Sequence, residues 1–152
     1  MRARGQRGDG EIGLILGAVL VAGAIAAAGF AMMSRTQTDD TEQALHAVDQ
    51  ANDVSVQSTL TSAMGDAQIY FADKQTFVGY SPAVAEQSEP TTKYNAGDAV
   101  PGQVSIRGIT ATSLVLVMPS QSGSTLCAAN NAGVVVHGRQ DATTAAGCTG
   151  GW

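Results

Sequence analysis

An uncharged apolar run of about 22 residues, positions 12–33, constrains this 152-residue chain more than any other feature. It reads IGLILGAVLVAGAIAAAGFAMM and is preceded by a short basic leader, residues 1–10, with Arg2, Arg4 and Arg7. A helix of that length spans a hydrocarbon core of roughly 30 Å. One acid, Glu11, stands at its mouth, and no cation follows until Arg35. A lone carboxylate at a membrane edge is costly unless it gains a partner. The run therefore reads as a membrane helix that packs against copies of itself. Within it, Gly13 and Gly17 form a GxxxG step that lets helix backbones approach closely.

Charge is divided unevenly along the chain. Beyond the apolar run, Lys74, Lys93, Arg107 and Arg139 face eleven acids, about −7 for residues 36–152. A basic leader retained inside and an acidic remainder exported follow from that asymmetry. An acidic exported domain argues against nucleic acid as a main partner, because phosphate binding needs clustered Lys and Arg. A removable secretory signal is the rival reading, with Ala24-Ile25-Ala26 before Ala27 as its cleavage site. Against it, the apolar run continues past that point through Phe30 and two methionines.

Residues 36–152 have room for one small globular domain. Leu45, Val48, Val56, Leu60, Ala63, Met64, Ala67 and Phe71 recur at helical spacings, with Asp49, Asp53, Ser58, Thr61, Ser62 and Asp66 assigned to a solvated face. No Pro interrupts residues 1–81, so the apolar and amphipathic segments read as one long helix or two with a hinge near 34–40. Residues 83–103 are turn-rich. Strand-like runs occupy 104–109, 113–118, 125–129 and 133–137, with Asn130-Asn131-Ala132-Gly133 as a hairpin turn. The expected fold class is α+β: a long N-terminal helix, membrane-spanning in its first half and amphipathic in its second, packed on a small antiparallel β-sheet. Its domains divide as leader 1–10, core helix 11–35, amphipathic helix 36–76 and head 77–152.

Cys127 and Cys148 are the only cysteines. An isolated pair in an exported chain reads as a disulfide, worth about 3 kcal/mol for a loop of this size in the chain-entropy model. A metal site has little support, since His137 is the only other soft ligand nearby and no CxxC spacing occurs. His46 and His137 stand among apolar neighbours, no GxSxG nucleophile motif is present, and the glycines lack phosphate-cradling spacing. The sequence predicts neither an enzyme nor a cofactor.

A basic leader ending in Gly, a membrane-length helix that continues as an amphipathic one, and a small sheet with a cysteine-closed loop together resemble the type IV pilins and the related pseudopilins. Residues 67–80, AQIYFADKQTFVGY, are similar to the helix end of that family. The resemblance implies cleavage after the leader glycine by a prepilin peptidase, an inner-membrane assembly platform as partner, and a surface filament of many copies. It also implies a Glu at the fifth mature position that neutralises a neighbour's free amine. Here the cut falls after Gly10, leaving Glu11 as the first mature residue, or after Gly8, leaving Asp9 first and Glu11 third. The expected function is a structural subunit of a pilus or pseudopilus, a single-pass membrane protein before assembly and an extracellular filament after it. A signal-anchored, non-polymerising binding domain and a secreted soluble domain are the alternatives.

Overall fold

The computed structural model describes residues 41–152, with the backbone of helix α1 (Asp9–Lys74) traced from Asp9. Two compact units divide the chain, Met1–Leu45 and His46–Trp152. The second unit is an α+β head.

Within the head, α1 buries Val56, Leu60, Ala63, Met64 and Ala67, the 3–4 spacing of a single helix face. The helix stops where Gln75 takes a left-handed φ of 57° and its N–H returns to the Phe71 carbonyl at 2.7 Å. Phe77 and Tyr80 then turn into the core, and Ser81 caps α2 (Pro82–Ser88), accepting from the Val84 N–H with Pro at the first turn.

Five strands form one sheet in sequence order: β1 (Tyr94–Ala96), β2 (Val104–Arg107), β3 (Ser113–Pro119), β4 (Thr125–Asn131) and β5 (Val134–Gly138). β2 to β5 make an antiparallel meander, while β1 pairs with β2 in parallel, Tyr94 opposite Val104. The β4–β5 hairpin turns on Ala132 and Gly133, with φ of 51° and 90°, the two left-handed residues of a tight primed turn. Both faces of the sheet are covered, which is why its central strands read as nearly continuous apolar runs. Val104, Ile106, Leu114, Leu116, Leu126 and Ala128 pack on α1, Phe77 and Tyr80. Val115, Val117, Cys127 and Ala129 pack on Ala142, Ala145 and Cys148 of the C-terminal segment.

Several expectations are corrected. The sheet is mixed and five-stranded rather than a small antiparallel one, because residues 94–96, in the turn-rich stretch, add a parallel edge strand. The membrane-spanning half assigned to residues 11–35 lies outside the described residues, and among the described residues no helix is long and apolar enough to cross a membrane. The described part of α1 carries Asp49, Asp53, Asp66 and Asp73, too polar a segment for lipid. Leu45 and Val48, expected on the core face, are 61% and 56% exposed. Asp53, assigned to the solvated face, is buried.

Candidate functional site

Among the residues singled out in the sequence, Gly8, Asp9, Gly10, Glu11, Gly13 and Gly17 lie outside the described residues. Cys127 and Cys148 are brought together as a disulfide with Cα atoms 5.9 Å apart. The bond fastens the C-terminal segment over the outer face of the sheet, where a short 3-10 turn (Ala145–Gly147) supplies Ala145 to the apolar contact. At Gly138 the segment crosses so closely that a Cβ would stand 2.6 Å from the Thr149 nitrogen and closer still to its carbonyl oxygen. Only glycine fits there. His137 stacks at 4.3 Å on Trp152, and His46 is exposed. Neither belongs to a cluster of groups able to hold a metal ion, and no such cluster exists among the described residues.

The side of α1 turned away from the sheet is the least ordinary surface of the head. Ala47, Ala51, Val54, Ser58, Thr61, Gly65, Ile69 and Ala72 succeed one another at steps of three and four, which places them on one stripe. All but Gly65 are exposed, Val54 at 56% and Ile69 at 70%. No charged residue interrupts the stripe over about seven turns. An exposed helix face ordinarily carries charges. Gly65 adds a second anomaly: a Cβ there would meet nothing within 4 Å, so the head itself has no use for glycine at this point. A mid-helix glycine costs about 0.5–1 kcal/mol relative to alanine.

Beside this stripe, and sharing Ile69 with it, runs an open groove of about 480 Å³ lined by Asp66, Ile69, Tyr70, Asp73 and Ser88. At its edge the Glu89 carboxylate accepts from Ser62 Oγ at 3.3 Å and from the Tyr94 hydroxyl at 3.0 Å. Burial, and then the nearby Glu89 charge, raise the Asp66 carboxyl above the usual range. Tyr80 packs edge-on against Tyr70 at 5.3 Å, and its buried hydroxyl has no hydrogen-bond partner among the described residues. Its phenol is pushed well above the ordinary value, first by burial and then by the charges of Asp66 and Glu89. A buried hydroxyl left unpaired costs about 1–3 kcal/mol.

Sequence reasoning misses this groove, because Glu89 lies 27 residues from Ser62 and reaches α1 only through the fold. The Ser81-Pro82 pair is the available signal for α2, which carries Ser88 and is capped by Glu89. No protein-family model, curated protein or solved structure matches the chain.

Proposed function

We propose that the chain is a structural subunit of a type IV pilus-like surface filament, assembled by packing helix α1 against α1 of neighbouring copies. The observation that carries this reading is the exposed, uncharged stripe from Ala47 to Ala72 with Gly65 within it. Small side chains and a glycine free of intrachain contact let a second helix come close, and dispersion then rewards the approach. The disulfide-fastened sheet is the part of such a subunit that faces outward, where a staple suits oxidising surroundings. No catalytic function is part of the proposal.

The test is recovery of the chain from its native host. Filaments sheared from the cell surface are expected to contain it, with a mature N-terminus at Glu11 or Asp9. A chain that starts near Ala27 and is released to the medium, or one that never sediments with sheared filaments, overturns the reading.

A further inference from the structure

Asp66, in the groove beside α1, and the exposed Lys93 are charged side chains without an ion pair among the described residues. Of the four cations in the head, three are held by acids of the same chain: Lys74 by Asp73 at 2.8 Å, Arg107 by Asp141 at 2.5 Å and Arg139 by Asp53 at 2.6 Å. Lys93 is exposed and has no ion pair among the described residues. On the acidic side, among the described residues, Asp66 has no cation against it and Glu89 accepts only from the neutral hydroxyls of Ser62 and Tyr94. Below them lies the unpartnered Tyr80 hydroxyl, 2% exposed as a residue and within the field of both carboxylates.

The groove suits a lysine. Ile69 and Tyr70 offer apolar and aromatic wall to an aliphatic stem, and Asp66 offers oxygens to its ammonium, Asp73 being already held by Lys74. The Tyr70 ring adds a face that attracts cations. A metal ion is a poorer occupant, because no group of three metal-binding side chains is assembled among the described residues.

We propose that this groove receives Lys93 of a second copy of the chain. The inference rests on the filament reading and deepens it. Charge complementarity selects the occupant: copies carrying about −7 beyond the apolar run repel one another unless a cation meets an acid where they touch. A lysine on one copy and a groove on the next are different patches, so the contact is heterologous, the type that propagates into an open helical filament. Lys93 thereby sets the register that the featureless stripe of α1 leaves loose.

The experiment mixes ¹⁵N-labelled and unlabelled full-length chains, allows assembly, and applies a carbodiimide that joins carboxylates to amines in contact. Mass spectrometry is expected to find Lys93 linked to Asp66, Asp73 or Glu89 in peptides carrying one light and one heavy half. Asp66→Asn or Lys93→Gln should weaken association by about tenfold, the loss of one close charge contact. Mixing Asp66→Lys chains with Lys93→Glu chains should restore mixed-label assembly, which a merely misfolded variant would not do. Sedimenting assemblies without a mixed-label Lys93 link overturn the inference and leave the filament reading standing. A chain that forms no assembly overturns both.

Discussion

Arg139, just past β5, donates to Asp53 on α1 at 2.6 Å across 86 residues of sequence. The second oxygen of the same carboxylate accepts from Ser122 Oγ at 2.5 Å, so Asp53 ties the helix to both the β3–β4 turn and the end of β5. Asp53 is 7% exposed, yet its carboxyl is held below the usual range. The Ser122 bond is the largest cause and outweighs the opposing effect of burial, with Ser120 and the Arg139 guanidinium adding to it. Its folded-state pKa therefore lies below the unfolded value of 3.8. The stabilisation is present above that value and is lost as pH falls through the depressed pKa. Asp53→Ala should cost about 1–3 kcal/mol at neutral pH. It should also flatten the acid limb of a stability-versus-pH curve measured by denaturant unfolding. An unchanged acid limb would show that the carboxylate is not what acid titrates.

The same residue shows where the sequence stops being legible. Helical counting places Asp53 only slightly off the Val56-Leu60 direction, and its charge alone assigns it to solvent. Its partners Ser122 and Arg139 are 69 and 86 residues away, and no local pattern announces them. Strands β3 and β4 begin at Ser113 and Thr125, where the apolar runs begin, because burial on both faces leaves a strong mark. β1 has three residues, too few for alternation to register, and its parallel pairing depends on a crossover rather than a turn. The groove is invisible for the same reason: its acids come from α1 and its Ser88 from the end of α2, joined only in the folded head.

Reduction of Cys127–Cys148 should release the C-terminal segment from Val115, Val117 and Ala129. The chain-entropy model assigns about 3 kcal/mol to a loop of this length. Limited proteolysis under reducing conditions should cut first between residues 139 and 152, while the α1-facing core stays protected. Equal cleavage rates in oxidised and reduced protein would mean that packing alone holds the segment.

Asp66 has the opposite sign from Asp53. Its folded-state pKa is raised by burial and by Glu89, so the folded head binds more protons than the unfolded chain above 3.8. The resulting penalty is full above the raised pKa and vanishes below the unfolded one. Asp66→Asn should therefore raise Tm of the unassembled chain at neutral pH and leave it unchanged in strong acid. A lower Tm at neutral pH would show that Asp66 is already compensated within the head.

Two tyrosines of the same cluster should respond differently to loss of the hydroxyl. Tyr94 donates to the Glu89 carboxylate, so Tyr94→Phe should cost about 1.5–3 kcal/mol, the range for a hydrogen bond to a charged group. Tyr80→Phe removes a buried hydroxyl that has no partner and should be neutral or slightly stabilising. Chemical denaturation of the two variants side by side decides this, and equal losses would contradict the difference in pairing.

Gly65 separates the needs of the subunit from those of the assembly. Nothing in the head stands within 4 Å of the Cβ it lacks, so Gly65→Ala should stabilise the unassembled chain by about 0.5–1 kcal/mol through helix propensity alone. Gly65→Leu should also fold, since the space beside the helix is open. If the stripe seats a neighbour's helix, however, a branched side chain at position 65 holds the two backbones apart and removes the close approach on which packing depends. The expected result is a folded Gly65→Leu chain, with an undiminished Tm, that no longer sediments as filaments. Normal sedimentation of that variant would show that the uncharged face of α1 is not where copies meet.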